Sequence, residues 1–158
     1  KENTGILDVI VGADGRYAKE LWIEAPGSRY RPRISHESIE AGKHYPKMNG
    51  RQVFKHAVTM MPKMVNTLLD RYHMTRNQID LLIPHQANLR ISEAVQQFLE
   101  LPNEKVFNNI QKYGNTTAAS IPLAMDEAIQ EGKLKEGDLL ALCAFGSGFT
   151  WGAALIRW

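Results

Sequence analysis

Cysteine is nearly absent from this 158-residue chain: Cys143 stands alone, which excludes an internal disulfide framework and any multi-cysteine zinc site. Long apolar runs are missing too. Nothing approaches the ~18 to 20 residues of a membrane-spanning helix, and the N-terminal KENTGILDVI has no charged stretch leading into an apolar core and cleavage site. A cytoplasmic protein without a membrane partner is the expectation. A large charge excess is lacking as well: the net charge is +2 with aromatics at only 8%, and no aromatics interleave the basic residues, so nucleic acid is a poor partner. What remains is ordinary globular composition, hydrophobic residues at 44% and charged residues at 23%, in a chain long enough to bury a core. The first residue is Lys1 rather than methionine. That reads as a piece of a longer protein, one that keeps apolar surface for a missing neighbour.

Acidic residues are absent between Glu40 and Asp70, where Lys43, Lys47, Arg51, Lys55 and Lys63 all fall, with His44 and His56 beside them. Lys47, Arg51 and Lys55 are spaced i, i+4, i+8, so a helix there would align them on one face. Two readings stay open, a solvated helix face and a docking patch for an anionic partner.

Gly5 to Val11 and Tyr17 to Glu24 flank the turn signature Ala13-Asp14-Gly15 and read as a hairpin. Ala25 to Pro46 carries Pro26, Pro32, Arg29, Arg31 and Arg33 with few apolar residues, the mark of a linker or exposed crossover. Residues 1–46 are therefore separated from 47–158. From about Gly50 to Tyr72, Val53, Ala57, Met60, Met64 and Leu68 recur at helical spacing, with Pro62 placed to kink or split the helix; the methionines read as core filler. Ile79 to Ile83 closes on Pro84 as a buried strand. A second helix spans about Asn88 to Glu100, with Ile91, Val95, Phe98 and Leu99 inward. A third starts near Thr116 or Thr117, turns Ile121, Ala124, Met125, Ala128 and Ile129 inward and stops at Gly132. Leu139 to Phe145 and Phe149 to Trp158 are strands joined by Gly146-Ser147-Gly148. This order fits an α/β mixed sheet covered by helices on both faces.

His85 follows a buried strand, and the carboxyl ends of strands in such sheets are where ligands bind. Gln86 and Asn88 add amides, and Asn88 can cap the following helix. Arg90 puts a cation in that helix's first turn, where the macrodipole opposes it, so it reads as a charge kept for a partner. Asn115, after Gly114, can present an amide N–H to a developing negative charge, though the same residues serve as turn and cap. The turn around Ser147 lets a backbone N–H approach a ligand. Cys143, inside an apolar run, reads as a buried thiol and not a nucleophile. His36, His44, His56 and His73 have no metal-ligand spacing; no metal site is expected.

The segments MNGRQVFKHAV, IPHQANLRI, KYGNTTAASIPLAMDEA and AFGSGFTWGAALIRW, from about Met48 to Trp158, strongly resemble the C-terminal half of 3-oxoacyl-[acyl-carrier-protein] synthase III. GILDVIVGADGRYAKELWIEAPG looks like the last hairpin of that family's N-terminal half. The resemblance implies a thiolase-like fold of two similar α/β halves, a homodimer, and a cysteine-histidine-asparagine triad. His85 and Asn115 match the last two members; the cysteine lies upstream of everything present here. The implied reaction is a decarboxylative Claisen condensation of an acyl-CoA with malonyl-acyl carrier protein, with no resident cofactor. Two neutral N–H donors, from histidine and asparagine, suffice to hold the enolate oxygen.

By the same resemblance the Ser147 N–H belongs to a second oxyanion hole. Gln86, Ala87, Asn88, Leu89, Arg90 and Lys55 correspond to the surface that docks acyl carrier protein, and Gly50, Phe54, Ala87 and Asn88 line the tunnel for the pantetheine arm of coenzyme A thioesters. Arg51 and the Gln96-Gln97 pair depart from the family pattern. Alternatives are a non-catalytic half that only docks the carrier protein, and a related acyltransferase of secondary metabolism.

Overall fold

A computed structural model describes residues 4–158; Lys1 lies outside the described residues. In chain order the elements are β1 (Gly5–Ala13), β2 (Leu21–Ile23), α1 (His36–Glu40), β3 (Pro46–Met48), α2 (Gly50–Arg71), β4 (Leu81–Pro84), α3 (Leu89–Leu99), α4 (Ile110–Tyr113), α5 (Ser120–Gln130), β5 (Leu139–Gly146) and β6 (Thr150–Arg157). The main sheet has the order β1-β6-β5-β4. β4 and β5 are parallel and the other pairs antiparallel. Alternate residues of β4 and β5 feed two cores. Leu82, Leu139, Ala141 and Cys143 meet α2 and α3, while Leu81, Ile83 and Leu140 meet Ala124 and Ala128 of α5. Both faces are covered by helices, as the element order predicts.

The predicted hairpin is not formed. β1 pairs with β6, from Gly5 opposite Arg157 to Ala13 opposite Thr150, and β2 pairs with β3. The Asp14 side chain accepts from the Arg16 N–H and caps a 3-10 helix over Gly15–Glu20, so the turn signature starts a helical turn instead of reversing the chain. Ties from α2 hold β1 in the sheet: Arg71 pairs with Asp8 at 3.0 Å, and the Tyr72 hydroxyl donates to the Leu7 carbonyl at 2.6 Å. A Cβ at Gly12 would run into the Trp151 indole, so any larger residue there would displace that ring.

Pro62 does not split α2, which runs unbroken from Gly50 to Arg71. Ala57 and Met61 before it and Met64, Val65, Leu68 and Leu69 after it are buried in one cluster. Each large side chain is worth about 1.5–3 kcal/mol on burial, which together outweigh the ~3 kcal/mol a proline costs in a helix interior. Met61 and Met64 do fill core, as expected. Two inward assignments move. Phe98 is 58% exposed, because the buried arc of α3 centres on Val95 and Leu99 and Ser92 turns in to donate to Asn108 Oδ1 at 2.5 Å. Ile129 is exposed, because α5 seats itself through Ser120, Ala124 and Ala128 at spacing four.

Candidate active site

β4 and β5 run parallel, and their carboxyl ends carry the site. The His85 N–H still donates to the Cys143 carbonyl at 2.8 Å, so the histidine is held one residue beyond the end of β4. Its Nδ1 lies 2.6 Å from Ser120 Oγ, which leaves Nε2 as the ring nitrogen free for a ligand. Burial lowers the His85 pKa below the usual 6.5, and the ring is neutral at pH 7.

Asn115 stands in the connection between α4 and the 3-10 turn Thr117–Ala119 ahead of α5. Gly114 has φ 69°, a backbone setting that favours glycine. The Thr117 N–H donates to Asn115 Oδ1 at 2.9 Å; since a donor requires an oxygen there, the amide orientation is fixed and Nδ2 is left to serve a ligand. Thr117 itself holds φ 54°, unusual for a β-branched residue and costing about 1–2 kcal/mol. That strain sits directly beside the asparagine.

His85 and Asn115 converge. Both line a cavity of about 560 Å³ with Gly50, Phe54, Ala87, Asn88 and Arg90. Both also line an adjoining one of about 920 Å³ with Ser147 and Trp151. Phe145 and Gly146 are shared as well, so the pair stands at the junction of two hollows. Every residue assigned to the pantetheine tunnel lines the first hollow, and Ser147 lines the second. Asn88 caps α3, its Oδ1 accepting from the Arg90 N–H at 3.0 Å.

The docking assignment is redistributed. Arg90 sits at the first hollow with its guanidinium 5.8 Å from the Phe54 ring, and Arg51 lines the same hollow. Lys55 and Leu89 are exposed, and adjoin in the chain Phe54 and Asn88, which line it. Gln86 is corrected: it is only 2% exposed. Its Oε1 accepts from the Asn109 and Ile110 N–H groups and its Nε2 donates to the Pro84 carbonyl, so the side chain is spent inside the fold. Lys47 is also displaced from the basic stripe. It lies on β3, outside α2, and Lys47 and Lys43 grip Glu24 at 2.9 and 3.2 Å, holding that carboxyl down to about 2. The acidic gap in the sequence is thus closed in space by a residue from β2's end.

Cys143 is buried, and burial pushes its thiol up to about 12. Native protein should therefore leave this thiol unmodified by iodoacetamide until denaturant is added; rapid native labelling, mapped to Cys143 by mass spectrometry, would contradict its placement. Among the described residues no group of three His, Cys, Asp or Glu side chains could hold a metal ion. Sequence reasoning missed Ser120, since a serine beginning a helix reads as a cap, and nothing local marks it as His85's neighbour.

Comparison with known proteins gives the chain a family. Residues 69–158 match the family profile described as 3-oxoacyl-[acyl-carrier-protein (ACP)] synthase III C terminal. A beta-ketoacyl-[acyl-carrier-protein] synthase III of Caldanaerobacter subterraneus is 47% identical over 98% of this chain and 46% of the relative. One from Clostridioides difficile is 46% identical over the same shares. The crystal structure of a synthase III from Thermus thermophilus superposes with a TM-score of 0.88 at 42% identity, covering 100% of this chain and 47% of that one. The chain spans about half the length of the curated relatives it matches.

Proposed function

From the premise that this chain belongs to the 3-oxoacyl-[acyl-carrier-protein] synthase III family, of which it carries the C-terminal, thiolase-like half, we propose that it supplies the decarboxylating half of a condensing active site. The observation that carries the reading is the convergence of His85 and Asn115 on one junction of two hollows, with His85 Nδ1 and Asn115 Oδ1 engaged by the fold and His85 Nε2 and Asn115 Nδ2 left for a ligand. A neutral imidazole N–H and a carboxamide N–H aimed at a thioester carbonyl stabilise the oxygen as it becomes an enolate. Malonyl thioester then loses carbon dioxide without a strong base.

The resulting carbanion attacks an acyl group held as a thioester on a cysteine supplied by residues outside this chain. A carbon–carbon bond forms and the cysteine leaves as thiolate. We assign the Ser147 N–H, from a residue that lines the second hollow, to the oxyanion hole that serves this step. No resident cofactor enters the scheme, because the substrate's own carboxylate is the electron source. The smaller hollow takes the pantetheine arm past Gly50, Phe54, Ala87 and Asn88. Arg90, Lys55 and Arg51 form the cationic rim that meets an acidic acyl carrier protein.

The full-length protein is assigned to the cytoplasm as a homodimer, by family resemblance. Ile6, Val9 and Val11 leave an exposed apolar strip along β1, which supports a further packed layer from the other half of the longer protein.

The full-length protein should form 3-oxoacyl-acyl carrier protein from an acyl-CoA and malonyl-acyl carrier protein; absence of product would end the proposal. Arg90→Glu and Lys55→Glu should raise KM for the carrier-protein substrate about tenfold and affect acyl-CoA less, with the difference shrinking at high salt. Equal losses for both substrates would remove the docking role.

A further inference from the structure

The hydrogen bonds around Ser120 say which of His85's two neutral tautomers the fold selects. Ser120 opens α5, is 2% exposed, and its hydroxyl oxygen touches two groups of the β4 exit loop. The Gln86 N–H lies at 3.2 Å and His85 Nδ1 at 2.6 Å. The Gln86 N–H can only donate, so it occupies a lone pair of Oγ. The serine's own proton then needs an acceptor, and His85 Nδ1 is the remaining group in contact. A buried hydroxyl proton left without an acceptor costs about 1–3 kcal/mol, enough to settle which nitrogen carries hydrogen.

We propose that Ser120 is a positioning residue whose hydroxyl donates to His85 Nδ1, fixing the imidazole in the Nε2–H tautomer so that its one N–H faces the junction of the hollows. The inference rests on the proposed role of His85 as a neutral donor, and extends it by naming what makes that nitrogen a donor. The protein holds its own contrast. His56 Nδ1 lies 2.9 Å from the Gln52 carbonyl, an atom that only accepts, so His56 carries its proton on Nδ1. His85 and His56 are thus opposite tautomers within one fold.

Nitrogen-15 NMR of the imidazoles in the full-length protein, with His85 and His56 assigned by substitution, reads this without any substrate. The expected result is a protonated Nε2 and bare Nδ1 for His85, and the reverse for His56. A protonated Nδ1 on His85 in the wild type would overturn the proposal, even if the enzyme condenses normally; the expected tautomer with no condensing activity would instead sink the functional reading.

Ser120→Ala should mix the His85 tautomers and slow carbon dioxide release about ten- to a hundredfold, with little change in KM for malonyl thioester. Acyl transfer to the cysteine should be spared. Ser120→Thr, which keeps the hydroxyl, should restore both the NMR signature and most of the rate. If Ser120→Ala folds and keeps the wild-type tautomer, the serine has no such role. If it does not fold, the wild-type spectrum still decides.

Discussion

Replacing His85 by alanine in the full-length protein should slow decarboxylation of malonyl thioester by about 10²- to 10³-fold while self-acylation of the cysteine proceeds near its normal rate; Asn115→Ala should do the same. The two losses share one origin, since each variant removes one of the two donor groups proposed at the junction of the hollows, His85 Nε2 or Asn115 Nδ2, whose partner atoms are engaged by the fold. Carbon dioxide release and covalent acylation are measured separately, the first by trapped label and the second by intact mass. Loss of acylation with decarboxylation intact would reverse the assigned roles. Acidity adds a directional check. Burial lowers the His85 pKa below 6.5, so the neutral donor still predominates at pH 6.5, and the fall in decarboxylation as the ring protonates should have its midpoint below that pH. A midpoint of that fall above pH 6.5 would mean that the ring is not the buried, neutral donor described.

Gln86→Ala should cost far more stability than a surface residue would. The substitution strands the buried N–H of Asn109 and the neighbouring N–H of Ile110, both of which donate to Gln86 Oε1 at 3.0 and 3.2 Å. At about 1–3 kcal/mol for each donor left unpaired, the full-length protein should lose roughly 2–6 kcal/mol in denaturant titration. The same side chain joins the loop bearing His85 to the segment leading to Asn115, so condensation should weaken along with stability. If Gln86→Ala unfolds like wild type and only raises KM for carrier protein, the buried-strut account fails and the docking role returns.

Much of the fold is legible locally. The runs that become β4, β5 and β6 are apolar and short, and the periodicities of α2, α3 and α5 are helical, because burial on one side writes a repeat into the sequence. The failures share a different character. The sequence pairs β1 with the nearest strand-like run, but its partner is at the far end of the chain, and pairing partners leave no local signature when side-chain alternation suits either strand. The i, i+4, i+8 spacing aligns Lys47 with Arg51 and Lys55, but the helix begins at Gly50 and Lys47 pairs with Glu24, just past the end of β2. Ser92 took an inward place from Phe98 because a hydrogen bond to Asn108 was available, a fact no hydropathy pattern contains.

For this protein the sequence by itself determined which chemical groups are on offer: a histidine leaving a buried strand, an asparagine after a glycine, and a cysteine too deep in hydrocarbon to react. Only the tertiary structure decided how those groups are spent, bringing His85 and Asn115 to the same hollows, turning Gln86 inward and setting Ser120 against an imidazole. The division has a physical cause. Apolar burial depends on each residue's own kind and spacing, whereas a hydrogen bond depends on the position of one particular atom belonging to a residue far away in the chain.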